Sequence, residues 1–271
     1  TLPNPLPYRE CVEWMLAQDY TTAERYWRSR LEGFHSPNAL GIGPKSDRSE
    51  IGSPLWDPDD TEIQWSYLSS KLGADLRKLA EAHGVTLNTL FQGAWAILLS
   101  RYCDERDVVF GATRSCRRSV LGGNTEHLLG PLLNTLPVRV RVSDTQLLVP
   151  WLQELREQWV EMRPYENTPL SKILTWSDLP PGTPLFFSFC DFEPWTFTSA
   201  LRARSPNWER RTAELFQRSP YKLVAAMRAG PEIALKISAN SRDFCQGTAV
   251  RIGAQLQTLL AQMAELSLIH I

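Results

Sequence analysis

The sequence lacks the features that define several large functional classes. It has no run of about 20 apolar residues, the length that a membrane-spanning helix needs, and no apolar N-terminal segment typical of a signal peptide. Its 29 lysine and arginine residues are balanced by 30 acidic residues. This near neutrality argues against nucleic acid or an anionic membrane as a partner. We therefore expect a cytoplasmic protein that binds neither.

Cysteine is scarce and scattered. No two cysteines form a CxxC pair, which argues against a zinc site and against a disulfide framework, and the odd number fits a reducing compartment. We expect no metal. The five cysteines are Cys11, Cys103, Cys116, Cys190 and Cys245.

Common catalytic motifs are also missing. There is no GxGxxG, GxSxG or HExxH, and the four histidines (His35, His83, His127 and His270) are isolated from one another. Each is better explained as a surface or capping residue than as a catalyst. A small arginine cluster at 114–118 has two explanations, an anion-binding site or a solvated loop edge.

What is present is a chain that is 43% hydrophobic and 22% charged, as in ordinary globular proteins. Apolar periodicity predicts helices over residues 8–34, 71–84, 86–102, 147–162 and 251–266. Alternation or short apolar runs predict strands at 62–70, 107–113, 136–142 and 184–193 and a hairpin over 221–240. Thr86 is the expected N-cap of the second long apolar helix, and Gly33 and Gly84 are expected helix stops. Alternating helices and strands predict an α/β fold with a mixed sheet and flanking helices.

One segment differs from the rest in composition. Residues 35–60 contain four prolines, three glycines and seven charged residues. This composition predicts a linker or a long surface loop.

One apolar stretch is unusual because polar residues interrupt it. Residues 128–140 (LLGPLLNTLPVRV) carry Asn134 and Thr135 in the middle, and Arg139 follows four residues after Thr135. A buried amide without a hydrogen-bond partner costs about 1–3 kcal/mol. The pair therefore needs partners that periodicity does not identify.

The order of several segments resembles the condensation domains of nonribosomal peptide synthetases. YRECVEW (8–14) is similar to the family's Y-x-D-[YF]-x-x-W motif. Residues 86–113 resemble the family's segment that runs from a buried helix into a strand. GATRSCR (111–117) resembles G-x-x-x-S-G-R, although Cys116 replaces the glycine. GPLLNTLPVR (130–139), RPYENTPL (163–170) and PPGTPLFFSFCDFE (180–193) resemble later motifs, the last without its leading arginine. The matching site residues are Tyr8, Trp14, Ser115, Arg117, Asn134, Thr135, Arg139 and Tyr165.

The resemblance implies a chloramphenicol acetyltransferase-like fold of two lobes with a tunnel between them. Residues 1–34 would end the N-terminal lobe, 35–60 would be the linker, and 61–271 would form the C-terminal lobe. The family's HHxxxDG motif, whose second histidine contacts the acceptor amine, is absent from this chain. The resemblance therefore implies that this chain holds no catalytic residue and is inactive without a missing N-terminal segment.

The implied reaction joins two carrier-bound thioesters into an amide. No cofactor would bind directly, because the substrates arrive on the phosphopantetheine arms of upstream and downstream carrier domains, next to an adenylation domain. Asn134 would hydrogen-bond either substrate or neighbouring backbone, and Arg139 would form a buried ion pair that supports the tunnel wall. Ser115 and Arg117 would lie on a loop near the tunnel.

Two other functions remain open. One is a non-catalytic lobe that docks a carrier or partner protein. The other is an acyltransferase of the wider superfamily whose histidine is supplied elsewhere.

Overall fold

The computed structural model describes residues 6–41, 60–123, 125, 128–194 and 221–265. Its helices are α1 (Tyr8–Leu16), α2 (Thr21–Leu31), α3 (Ser70–Ala82), α4 (Leu87–Cys103), α5 (Leu148–Glu161), α6 (Leu170–Trp176) and α7 (Thr248–Glu265). Short 3-10 turns lie at Val120–Gly123 and Arg163–Tyr165. The strands are β1 (Thr61–Tyr67), β2 (Asp107–Ser115), β3 (Leu133–Arg141), β4 (Ser188–Pro194), β5 (Leu223–Ala229) and β6 (Ile233–Asn240).

The six strands form one sheet in the order β1-β6-β5-β4-β2-β3. β4 pairs in parallel with both β2 and β5, whereas the other pairs are antiparallel. The sheet is therefore mixed and carries flanking helices, which confirms the predicted fold class.

Helix α4 forms the centre of the core. All its residues from Thr89 to Ser100 are buried, and the helix packs against β2, β4 and β5 as well as α5 and α7. The Thr86 hydroxyl accepts a hydrogen bond from the Thr89 amide at 3.1 Å, as the sequence predicts for an N-cap. Gly84 follows α3 with a φ of +67°, a conformation that costs glycine little.

The first predicted helix is divided in two. α1 ends at Leu16 and α2 starts at Thr21, whereas periodicity predicts one segment over 8–34. The Asp19 carboxylate accepts hydrogen bonds from both the amide (2.9 Å) and the hydroxyl (2.6 Å) of Thr21. This local contact competes with a continuous helix and starts a new one. Gly33 lies just beyond α2 with a φ of +73°, consistent with the predicted stop.

Two apolar clusters hold these elements together. The main core contains Trp27 and Leu31 of α2 together with the buried side chains of the sheet and of α4. A smaller cluster joins α1 to the loop after β2 through Cys11, Cys116 and Leu128. Most of the predicted linker, 42–59, lies outside the described residues, and the division into lobes stays a prediction.

Among the described residues, helices cover one face of the sheet and leave part of the other face open. α4 and α7 lie against the covered face, where Leu235 and Ile237 of β6 are buried. β1 forms where alternation predicts it, but Ile63, Trp65 and Tyr67 point away from this core and are 40%, 39% and 65% exposed. Their apolar alternation marks the open face of the sheet.

Candidate functional site

A cavity of about 250 Å³ lies on the open face of the sheet. Its floor comes from alternate residues of neighbouring strands, because residues paired in register point to the same side. Trp65 pairs with Lys236, Lys236 with Ala226, and Ala226 with Asp191, so these four form one row across β1, β6, β5 and β4. Lys236, Ala226 and Asp191 of this row line the cavity.

Asp191 is the carboxylate in the middle of the cavity floor. Thr113 of β2 points to the same side of the sheet and also lines the cavity. Burial raises the pKa of Asp191, and hydrogen bonding by Thr113 and the charge of Lys236 offset part of that rise. A carboxylate held this way retains acceptor capacity for a ligand.

The other charged groups that line the cavity already have partners. Glu193 accepts a hydrogen bond from Arg228 Nε at 2.9 Å, and Lys222 donates to Asp243 at 2.6 Å. The Lys236 ammonium lies 5.5 Å from the centroid of the Trp65 ring. Within the described part of the chain, Asp191 lies within ion-pair distance of no lysine or arginine.

An aromatic pair forms part of the cavity wall. Phe189 of β4 and Tyr221 stack with their centroids 4.8 Å apart and their planes 9° from parallel. The Tyr221 hydroxyl shares a hydrogen bond with Thr135, and burial raises the pKa of Tyr221. One predicted site residue, Thr135, thus fixes an aromatic ring of the cavity.

Asn134 lies at the cavity edge and binds backbone groups from two segments. Its Nδ2 donates to the carbonyl oxygens of Glu166 (2.9 Å) and Thr168 (2.8 Å), and its Oδ1 accepts from the Thr135 amide (2.9 Å). The amide therefore clamps the segment after α5 to the start of β3. Of the two predicted uses of Asn134, these contacts supply the backbone one.

A buried glutamate organises the loop beside this clamp. Glu166 is 2% exposed and accepts hydrogen bonds from Arg114 Nε and from the Ser119 hydroxyl, both at 2.5 Å. The Cys116 thiol donates to the Glu166 carbonyl at 3.2 Å. Burial, with the nearby Glu166 carboxylate, raises the pKa of Cys116 to about 12, so this thiol is protonated at neutral pH.

The arginine cluster after β2 is largely occupied within the protein. Arg114 binds Glu166, and Arg117 Nη1 donates to the carbonyls of Thr125 and Leu128, each at 3.0 Å. Ser115, at the end of β2 opposite Leu133, is exposed. Arg117 therefore stabilises the loop between β2 and β3 through these two hydrogen bonds.

Arg139 joins α2 to the sheet. Its Nε and Nη2 bind the Asp107 carboxylate at 2.9 and 2.7 Å, and its Nη1 donates to the carbonyls of Arg30 (3.2 Å) and Glu32 (2.7 Å). The Arg139 side chain is 11% exposed. The ion pair with Asp107 is present, but Arg139 does not line the cavity, and its predicted support of a tunnel wall stays a prediction.

Tyr8 and Trp14 attach α1 to the loop before β3. The Tyr8 hydroxyl donates to the Pro131 carbonyl at 2.8 Å, and its ring lies where a side chain on Gly130 would be. Trp14 packs against the same small cluster. Tyr165 lies elsewhere, stacked on Tyr26 of α2 with a centroid distance of 4.3 Å.

Of the predicted site residues, Asn134 and Thr135 line the cavity. Tyr8, Trp14 and Arg117 meet around the loop that precedes β3, and Arg139 and Tyr165 hold α2. Asp191, Thr113 and Tyr221 were missed by the sequence motifs. The alternation in FSFCDFE predicts a strand but does not show which face meets a cavity.

Neither His35 nor His83 lines the cavity, and His127 and His270 lie outside the described residues. Across the described ranges, no three acidic, histidine or cysteine side chains cluster as a metal site would require. No helix in those ranges has both the length and the apolar character to cross a membrane.

Comparison with known structures defines the class of fold first. The chain superposes on the condensation domain of the Monacolin K polyketide synthase MokA with a TM-score of 0.75, at 16% identity, over 97% of this chain and 61% of that one. This likeness, together with the mixed sheet, establishes a chloramphenicol acetyltransferase-like fold.

Sequence comparison then gives the family. A family model described as Condensation domain matches residues 1–268. Two different polypeptides of linear gramicidin synthase from Brevibacillus parabrevis are 35% identical over 258 residues and 34% identical over 277 residues to this chain. These matches cover 95% and 99% of this chain but 3% and 5% of those proteins. The chain belongs to the condensation-domain family and spans a small fraction of the length of these relatives.

Proposed function

We propose that this chain is part of a nonribosomal peptide synthetase condensation domain that forms an amide between an acyl thioester and an aminoacyl thioester. The two substrates are delivered on the phosphopantetheine arms of an upstream and a downstream carrier domain, and an adenylation domain loads the downstream one. The observation that carries the proposal is the cavity on the open sheet face, in a chain whose family is the condensation domain.

The chemistry needs positioning more than it needs a strong catalyst. The acceptor amine attacks the thioester carbonyl, the carbon–sulfur bond breaks, and the proton lost by the amine balances the thiolate that leaves, so the upstream phosphopantetheine arm is released as a free thiol. Holding the two groups in contact supplies much of the rate, since it converts a bimolecular reaction into an intramolecular one. The open face provides one wall for this, and the Asn134 clamp fixes the wall's edge.

The histidine that contacts the acceptor amine is supplied by an HHxxxDG segment that this chain does not contain. We therefore propose that the chain has no condensation activity by itself. A non-catalytic docking lobe is the second candidate, and one observation favours it: among the described residues, no histidine lines the cavity.

The test mixes this chain with an N-terminal segment that carries HHxxxDG and with two carriers loaded with acyl and aminoacyl groups. We expect amide product that disappears when the second histidine of the motif is replaced by alanine. Product from this chain alone would overturn the proposed dependence on the segment. No product from the mixture, with both proteins folded and associated, would favour the docking lobe.

A further inference from the structure

Among the described residues, the open-face cavity places apolar floor residues next to one lining carboxylate, Asp191, that forms no ion pair. We propose that it receives the side chain of one of the two joined amino acids, and that Asp191 selects a side chain ending in an amine, as in ornithine or lysine. This inference rests on the proposed function. It adds a substrate class and a specificity-determining residue to it.

The shape of the cavity fits a side chain with an apolar stem. Val224 and Ala226 of β5 and Phe189 of β4 form the part of the floor next to Asp191. Ala226 stands between Asp191 and Lys236 in the cross-strand row, and all three line the cavity. Methylene groups would lie on this apolar floor while the terminal group reaches Asp191.

The charges around the cavity favour a cation at Asp191. Glu193, on the same strand, is already paired with Arg228, and Lys222 is paired with Asp243. Lys236 lies two strands from Asp191, about 10 Å between backbones; its charge lowers the pKa of Asp191 in part, but it forms no ion pair with that carboxylate, and its ammonium lies over the Trp65 ring. Asp191 is therefore the lining carboxylate that forms no ion pair with any described residue, although Lys236 acts on it from a distance.

Burial supplies an energetic reason for a cationic ligand. A carboxylate removed from water without a direct counter-ion is destabilised, which is why the pKa of Asp191 is raised. A ligand ammonium within hydrogen-bond distance restores the lost interaction. An acidic side chain would meet repulsion at the same point.

The α-amine of the acceptor is a different use of Asp191, and the test separates the two. An α-amine is common to all amino acids, so losing its contact with Asp191 would lower the rate for every substrate. Selection of a side chain changes the ratio between substrates. The apolar floor beside Asp191 favours the side chain, because an α-amine has no stem to place there.

The experiment uses this chain with the HHxxxDG segment and loaded carriers, and compares ornithine with norleucine, a neutral amino acid of nearly the same shape. Each is loaded on the downstream carrier in one arm and on the upstream carrier in the other, and the arm that shows a preference identifies which substrate enters the cavity. We expect a preference for ornithine that falls roughly 10- to 100-fold in Asp191→Asn, the value of a hydrogen bond to a charged group. Glu193→Gln, which alters a lining carboxylate that is already paired, is the matched control and keeps the preference.

An unchanged ratio in Asp191→Asn, or an equal loss for ornithine and norleucine, would overturn the inference. Binding of ornithinyl- and norleucinyl-pantetheine amides to the same complex gives a second readout that needs no turnover. Preferential binding of the ornithinyl amide that Asp191→Asn abolishes, without any condensation, would support this inference and refute the proposed function. Condensation without any preference in either arm would support the proposed function and refute this inference.

Discussion

Three hydrogen bonds explain why a polar pair interrupts the apolar stretch 128–140. The Asn134 amide serves two carbonyls of the segment after α5 and one amide of its own strand. The sequence predicts that a buried amide needs partners, but these carbonyls lie 32 and 34 residues away. Local periodicity carries no information about such contacts.

Replacing Asn134 tests the clamp. We expect Asn134→Ala to lower the free energy of unfolding by about 2–3 kcal/mol, because two carbonyls and one amide lose their partner. Asn134→Asp keeps the acceptor for the Thr135 amide but replaces the donor, and it should be at least as destabilising since a carboxylate would face two carbonyl oxygens. Urea unfolding measures both. Unchanged stability with lost condensation activity would instead assign Asn134 to the substrate.

Gly130 is required by space rather than by backbone conformation. A β-carbon there would overlap the ring of Tyr8, which a hydrogen bond to Pro131 holds in place. We expect Gly130→Ala to cost about 1–3 kcal/mol. In a protein that already carries Tyr8→Ala, thermal unfolding should show that Gly130→Ala is nearly neutral, since the ring that causes the clash is gone.

Gly253 of α7 is the matched control for Gly130. A β-carbon at Gly253 would meet Ile237 at 3.6 Å, an ordinary contact. Gly253→Ala should therefore stabilise the protein by about 0.5–1 kcal/mol, the gain expected for alanine in a helix. Equal costs for the two substitutions would contradict the steric explanation.

Asp191 predicts a pH-dependent stability. Burial raises its pKa in the folded protein above the ordinary value near 3.8. Above the folded pKa the carboxylate is ionised in both states and its burial opposes folding, whereas below the unfolded pKa it is protonated in both and the cost vanishes. Asp191→Asn should therefore raise the unfolding temperature at pH 7, and the gain should shrink as the pH falls towards 4. A gain that is constant with pH, or a loss at pH 7, would contradict this.

Among the elements, those with local signals are the ones the sequence predicts well. The period of α4 and its Thr86 cap depend on residues within one helix, and the structure confirms both. The break after α1 depends on one side-chain contact, Asp19 with Thr21, which an averaged period does not detect. The alternation in β1 predicts a strand, but which face is buried depends on where α4 and α7 pack.

The attachment of α2 depends on the planar fork of Arg139. It binds both oxygens of Asp107 while donating to two carbonyls at the end of α2. A lysine presents a single ammonium and cannot make all these contacts. We expect Arg139→Lys to cost about 1–3 kcal/mol and to speed amide hydrogen exchange in α2.

Arg141→Lys is the control for Arg139. Arg141 lies 3.7 Å from the same Asp107 carboxylate, but its side chain is 79% exposed. Exposed ion pairs contribute little, so the change should stay within about 0.5 kcal/mol. Similar costs at the two positions would mean that total charge near Asp107, not the fork, holds α2.

At the scale of the whole molecule, the described helices α4 and α7 cover one face of the sheet and leave apolar side chains exposed on the other. Ile63, Trp65 and Tyr67 leave large apolar side chains partly exposed on the open face, beside the cavity. Exposed apolar patches of this kind mark interaction sites in globular proteins. The proposed function needs a second wall opposite the open face, and we expect the segment that carries HHxxxDG to supply it by packing on this patch.

Association of that segment should therefore stabilise the chain. A partner that binds only the folded state adds about 2.7 kcal/mol when its concentration is 100 times the dissociation constant, and the unfolding temperature should rise with its concentration. Trp65→Ser should weaken this response. Val250→Ser should leave it intact, because Val250 is 52% exposed but belongs to α7, which packs on the opposite face. Equal weakening by both substitutions would mean that the open face is not where the segment binds.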